Sequence, residues 1–402
     1  MMSRSKENFN EEQRQRFSSI KKVVCANCFT DEAIKNYIKT NSTHKKCDYC
    51  GKKSKNNIAI NIDRLMPIII KGIDLEWNDP DSEGIAYESR EGGYQAELFN
   101  NEEVIGNYDI SDNATVIGDI IRSLHDQNWV ERNFYRGSDD QVLIWAWEDF
   151  CREVTTKRRF TFLIKENDNY SYSEVSPSEF LSVLANYKNA RLRPINLIKS
   201  INTNTSIYRV RAGKDKYKTA KALGAPPNEF ALQANRMSPS GIPMFYGAFD
   251  KATAIKETID PKSNIDNQII SVGHFKPTRE LKLLDLSNIP KPPSVFNIEK
   301  QRLISPLKFF SSFAEDIAKP IARNGKEHIE YVPTQIITEF FRHVYKTSNG
   351  DRLDGIIYSS SKNKGKKACV IFCENHQSCK KGENKIGCLL ELIKVEHPKT
   401  KF

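Results

Sequence analysis

Two Cys-x-x-Cys pairs, Cys25 and Cys28 in "VVCANCF" and Cys47 and Cys50 in "KKCDYCGKK", constrain this 402-residue chain more than any other feature. Each pair sets two thiols on one tight turn, and a separation of roughly 20 residues between pairs is that of a closed four-cysteine zinc site. Lysines flank the second pair and Gly51 follows it, as in a knuckle whose thiolates lie near cations and amides. Four thiolates leave no open coordination position, so the expected zinc is structural. The competing reading, a redox dithiol, belongs on one strand and helix of thioredoxin type rather than in duplicate. The cysteines total nine, an odd number that argues against a complete disulfide framework. Cys369, Cys373, Cys379 and Cys388 surround His376 without any CxxC turn, so a second metal site is not expected there.

The first nineteen residues, "MMSRSKENFNEEQRQRFSS", contain neither an apolar core nor a small-residue cleavage site. No run reaches the roughly 18 apolar residues that a spanning helix requires. We therefore expect a cytoplasmic protein with no membrane partner. The formal charge of +10 favours anionic partners such as nucleotides, phosphate or nucleic acid, although a basic balance often reports only a solvated surface.

Texture divides the chain into a flexible tail (1–22), the four-cysteine knuckle (23–60), a helical domain (61–165), a linker (166–199) and a mixed domain (200–402), an α+β fold class throughout. "NIDRLMPIIIKGIDLEW", "VIGDIIRSLHDQNWVERNF" and "DDQVLIWAWEDFCREVTTKRR" carry helical spacing, with Trp145 and Trp147 read as core. Beyond residue 200 short apolar runs alternate with helices: "SIYRVRAG", "GIPMFYGAF", "NQIISVGHF", "DGIIYSSS" and "ACVIFC" read as strands. Five polar residues fall where these elements meet turns. Arg209 lies in the first strand, Arg236 and Tyr246 flank the turn "SPSGIP", Glu257 follows on a helix, and Ser360 ends "DGIIYSSS". No cation stands three or four residues from Glu257, so a helical ion pair does not explain it.

"YRVRAG", "APPNEFALQANRMSPSGIPMFYGAFDKATAIKE", "EYVPTQIITEFFRHV" and "DGIIYSSS" resemble, in order over roughly residues 200–375, the landmarks of the RES domain family. That family is named for an Arg, Glu and Ser trio, and many members are toxins of toxin-antitoxin pairs that destroy NAD. "CANCFTDEAIKNYI" and "CDYC", followed by helices, resemble the zinc-containing HEPN-like domain that precedes longer RES proteins. The resemblance implies a fold similar to ADP-ribosyltransferases and a cleft for NAD as substrate. Arg209, Glu257 and Ser360 match the trio, and Arg236 and Tyr246 match further polar positions of the pocket. Ser359, Ser360 and Ser361 are consecutive; Ser360 is taken because Tyr358-Ser359 stands where family members carry Tyr-Pro.

These residue types suit the chemistry. An Arg fork, from Arg209 or Arg236, matches paired phosphate oxygens. Cleavage of the nicotinamide–ribose bond develops oxocarbenium character that a fixed carboxylate such as Glu257 stabilises, and nicotinamide leaves neutral, so no second acid is required. Water as acceptor gives ADP-ribose, phosphate gives ADP-ribose 1″-phosphate, and a protein side chain gives ADP-ribosylation. NAD degradation with water or phosphate is the favoured outcome, with protein ADP-ribosylation as the alternative. A second alternative is an RNA-binding or RNA-cleaving HEPN effector with an inactive RES domain. Arg122 and His125 in "IRSLHD" are spaced too closely for an active HEPN site, so nucleic acid is the less favoured partner. An antitoxin or regulatory protein is a further expected partner of a toxin.

Overall fold

The computed structural model describes residues 16–164, 175–191, 197–259, 268–319, 325–383 and 386–398. Most of the expected tail (1–15), the last residue of the expected helical domain (165) and parts of the expected linker (166–174 and 192–196) lie outside the described residues. The chain divides into two units, one of residues 1–139 with 292–305, the other of residues 140–291 with 306–402.

In the first unit, β1 (Val23–Cys25) pairs antiparallel with β2 (Ala59–Asn61), and α1 (Glu32–Asn41) lies between them in sequence. Asp31 caps α1 by accepting from the Ile34 amide at 2.9 Å, which satisfies one of the donors a helix start leaves unpaired. α2 (Met66–Ile73) buries Met66, Ile69, Ile70 and Ile73 along one stripe. Gly72 interrupts that helix for a reason: a Cβ there would stand 2.4 Å from the Phe296 ring, which is buried in the same core.

β3 (Trp77–Asn78) and a small hairpin of β4 (Tyr87–Glu88) and β5 (Gly93–Tyr94) follow. α3 (Asn101–Gly106) opens with a capping box between Asn100 and Glu103, and α4 (Ala114–Ser123) is capped by Asn113. The helical spacing read through "VIGDIIRSLHDQNWVERNF" does not persist. Leu124 turns extended, and β6 (Val130–Glu131) pairs with β3 instead. The fully buried Trp129 beside it donates its indole N–H to Asn101 at 2.8 Å.

The second unit begins with α5 (Asp139–Arg152) and α6 (Pro177–Arg191). Phe150 of α5 stacks on Phe180 of α6, and Trp147 meets the same ring at a tilt. Trp147 also meets Phe313 edge-on and donates to Asp316 at 2.7 Å. Trp145 is the correction here. Two helical residues from Trp147, it lies on another face of α5 and is 36% exposed rather than core.

A nine-stranded mixed sheet dominates the unit: β7 (Ile198–Ile201), β8 (Ile207–Gly213), β9 (Phe245–Ala248), β10 (Ile269–Pro277), β11 (Leu281–Asp285), β12 (Gly355–Ser359), β13 (Lys367–Ile371), β14 (Ser378–Lys380) and β15 (Leu390–Glu396). Its spatial order is β14-β15-β10-β8-β9-β13-β12-β11-β7. Arg209 therefore sits on the second strand of this sheet in sequence, because β7 precedes it at the far edge. Alternation along the strands builds two apolar faces. Ile207, Phe245, Phe275, Leu283, Ile357 and Ile371 share one core with Leu223 of the short α7 (Ala220–Leu223). Val210, Ala248, Val272 and Ala368 share the other with Ala254 of α8 (Lys251–Thr258).

α9 (Ile304–Ala318), α10 (Glu327–Glu330) and α11 (Val332–Glu339) complete the chain of helices. Cys379 and Cys388 are disulfide-bonded at the β14–β15 edge, while Cys369 and Cys373 are buried free thiols. Among the described residues, no helix is long and apolar enough to cross a membrane.

Candidate functional site

The sheet itself opens the cleft. β8 pairs with β10 along its whole length, and β9 pairs with β13, yet β8 and β9 share the single pair Tyr208–Ala248. Beyond that point the two strands part. A Cβ on Gly247 would come within 2.7 Å of Ile207 and 3.1 Å of the Tyr208 carbonyl, so glycine is what lets the strands close up just where they begin to separate.

The gap continues into a cavity of about 520 Å³, within the range of small-molecule sites. Arg209, Arg236, Tyr246 and Glu257 line it together with Tyr208, Tyr331, Tyr358, Ser359, Ser361 and Lys362. Four of the five expected residues thus converge directly, and the fifth stands behind one of them.

Arg209 lies in the gap between the strands. Its Nη1 donates to the Tyr246 carbonyl at 2.9 Å, on the side of β9 that β8 has left, and its guanidinium lies 5.1 Å from the Phe245 ring. Its buried Nε has no hydrogen-bond partner among the described residues. Burial, and then the neighbouring Arg211, push its pKa down, so the site holds this cation at a cost that an anion would offset.

Arg236 stands on a loop clamped from several sides. Gln335 of α11 donates to the Asn235 and Ser238 carbonyls at 2.8 and 3.3 Å, and Thr334 donates to the Arg236 carbonyl at 2.5 Å. The Tyr246 hydroxyl bonds Ser238 Oγ at 2.9 Å and receives the Met237 amide at 3.3 Å. Burial raises Tyr246 to about 12, so its phenol stays neutral. The Arg236 guanidinium donates to the carbonyls of Ile317 and Lys319 and so caps the C-terminal end of α9. This fork is already occupied on two donors, whereas that of Arg209 is not.

Glu257 lines the cavity from the last turn of α8, a helix capped by Asp250 through the Thr253 amide at 2.8 Å. Ser360 is buried and donates its hydroxyl to Glu257 Oε1. Ser359 and Ser361 are exposed and line the cavity. Of the three consecutive serines, Ser360 alone is hydrogen-bonded to the acid. Tyr358 beside them is pushed well above its usual range by burial first and the Glu257 charge second. His274 stacks on Tyr208 and bonds Ser206 at 2.8 Å, with its pKa lowered by burial; neither it nor His328 lines the cavity. Sequence reading missed Gln335, Thr334, Tyr331 and Lys362, although "EYVPTQ" and "SSSK" contained them. Their roles depend on which loop each element meets.

In the first unit, the sulfurs of Cys25, Cys28, Cys47 and Cys50 all lie within 4.8 Å of one another. Neighbouring pairs are 3.5, 3.6 and 3.8 Å apart. Four sulfurs arranged tetrahedrally about an ion at about 2.3 Å would be about 3.8 Å apart, so the set can hold a metal ion. Burial pushes the Cys25 and Cys28 thiols up, a cost to their thiolate forms that a bound cation would offset. Tyr49, between Cys47 and Cys50, is anchored through its hydroxyl to Asp119 of α4 at 2.9 Å. Asp119 also holds Lys22 and Arg122, both at 2.6 Å, which commits Arg122 to a structural pair.

Comparison with known families matches two stretches of the chain. Residues 206–391 match the RES domain. Residues 40–168 match HEPN/RES N-terminal domain 1, a span that takes in Cys47 and Cys50 and begins after Cys25 and Cys28. The chain thus contains a RES domain, preceded by the HEPN/RES type of N-terminal domain. No curated protein and no solved structure matches the chain.

Proposed function

We propose that the cleft binds NAD and cleaves its nicotinamide–ribose bond, with phosphate or water as acceptor, and that the protein acts as a toxin or defence effector. The observation that carries this reading is that Glu257, paired with Ser360, lines the same 520 Å³ cavity as Arg209, whose buried Nε has no partner among the described residues.

Arg209 is the better anchor for the pyrophosphate, because its fork retains free donors and an anion would relieve the cost of its burial. Arg236, held by the end of α9, adds positive potential without offering its full fork. The tyrosines of the cavity supply faces for the nicotinamide and ribose. Glu257 stabilises the oxocarbenium ion as neutral nicotinamide departs, and the Ser360 hydroxyl steadies one carboxylate oxygen while that happens. The four-cysteine cluster holds zinc as a structural ion, since four thiolates leave no position for a substrate.

Purified protein incubated with NAD and, separately, with RNA tests the reading. Nicotinamide release with intact RNA is expected. ADP-ribose 1″-phosphate appearing only when phosphate is added identifies phosphate as the acceptor, and ADP-ribose in its absence identifies water. RNA cleavage with NAD left intact would overturn the proposal.

A further inference from the structure

We propose that Asn363 is a positioning residue that latches the β12–β13 loop to α8 and thereby aims the Ser360 hydroxyl at Glu257. Its consequence for rate rests on the NAD-cleaving reading; the latch itself does not.

Thr253 and Glu257 stand four residues apart on α8 and so share one face of the helix. Ser360 and Asn363 stand three apart on the loop and meet that face at two points. Ser360 Oγ donates to Glu257 Oε1, and Asn363 Nδ2 donates to Thr253 Oγ1 at 2.7 Å. The Thr253 side chain is fully buried, and its own proton goes to Asp250 Oδ2 at 2.7 Å, so it meets Asn363 only as an acceptor. Lys256 Nζ donates to Asn363 Oδ1 at 3.1 Å. These two neighbours fix which end of the amide is which, because one requires a donor and the other an acceptor.

The backbone of Asn363 acts on Ser360 directly. Its N–H donates into Ser360 Oγ at 3.0 Å. A hydroxyl has one proton, so with that N–H arriving at a lone pair the Ser360 proton is left for Glu257. The loop is closed behind this pair by Ser360 N–H to the Lys366 carbonyl at 2.8 Å and Lys366 N–H to the Asn363 carbonyl at 3.0 Å. Among the described residues no other hydrogen bond reaches the Glu257 carboxylate. Oε1 is therefore held and Oε2 is left for a substrate in the cavity.

The test is kcat and KM for nicotinamide release in wild type, Asn363→Ala, Ser360→Ala and the double variant, with thermal melting of each. Asn363→Ala is expected to lower kcat about tenfold to a hundredfold while KM stays within about twofold, as a loss of orientation does. The double variant is expected to be no slower than Ser360→Ala alone, because both substitutions break one chain of contacts. Losses that multiply, or an unchanged kcat in Asn363→Ala, overturn the assignment. Thr253→Val removes the acceptor for Asn363, and with it the donor to Asp250, while the Asp250 cap on the Thr253 amide stays; it should give the same kcat-only loss and serves if Asn363→Ala does not fold. If wild type releases no nicotinamide, the NAD reading fails, and hydrogen exchange over residues 359–367 judges the latch by itself. Faster exchange in Asn363→Ala upholds it, and unchanged exchange refutes it.

Discussion

At the scale of single residues, the two arginines of the cleft are not equivalent. Arg236 holds the carbonyls at the end of α9, whereas Arg209 commits one Nη to the Tyr246 carbonyl and its Nε has no partner among the described residues. Arg209→Lys should therefore raise KM for NAD by about tenfold or more, since an ammonium replaces the planar fork with a point charge. A KM within twofold of wild type, measured at constant ionic strength, would remove Arg209 from substrate binding. Tyr246→Phe should act on stability instead. It strips a partner from the Met237 amide and from Ser238, at about 1–3 kcal/mol, which a denaturant midpoint reads directly. The residue types around the "SPSGIP" turn and at the end of "AIKE" were legible in the sequence, since each sits at an element boundary. What Arg236 actually holds was not, because its partners lie 81 and 83 residues away and leave no trace in local periodicity.

At the scale of elements, the knuckle and α4 are joined through Asp119, which accepts from Lys22, Arg122 and Tyr49. Burial works against the Asp119 carboxylate, but these three donors outweigh it and hold its pKa below the usual value of 3.8. A depressed folded pKa stabilises at pH above the unfolded value and loses that contribution as pH falls through the folded one. The melting temperature of the first unit should thus drop below about pH 4, and Asp119→Asn should show a shallower decline there than wild type. A parallel acid limb in both proteins would show that Asp119 contributes nothing. With zinc held by the four cysteines, as proposed, loss of the ion should have a larger effect. A chelator, or Cys47→Ser, is expected to lower the first melting transition by several degrees and to release one zinc per chain, as read by a colorimetric zinc indicator. The paired CxxC turns announced this element from sequence alone. The parting of β8 from β9 was hidden, because both segments read as ordinary strands and their divergence depends on which neighbours each one pairs with.

At the scale of the whole molecule, sequence texture suggested domains that follow one another, whereas the cores recruit pieces from distant stretches. Segment 292–305 returns Phe296 to the core of the first unit, and α5 gives Trp147 and Phe150 to an aromatic cluster with Phe180 and Phe313 in the second. Helical spacing identified α5 without indicating which core would receive its apolar face. A chain beginning at residue 200 should consequently be poorly soluble, since it exposes Phe313 and leaves Asp316 without its indole partner. Losing a buried Trp alone costs about 3–5 kcal/mol, and soluble, cooperatively melting 200–402 protein would contradict this assignment. In the proposed reaction a fixed carboxylate, Glu257, drives departure of the nicotinamide. Its most direct test is nicotinamide release from NAD by wild type and Glu257→Gln at equal concentration, with both shown folded by thermal melting. Turnover is expected in wild type, with a loss of about a hundredfold to a thousandfold in the variant and its melting temperature retained. Equal rates in the two proteins, or no release by either, would contradict it.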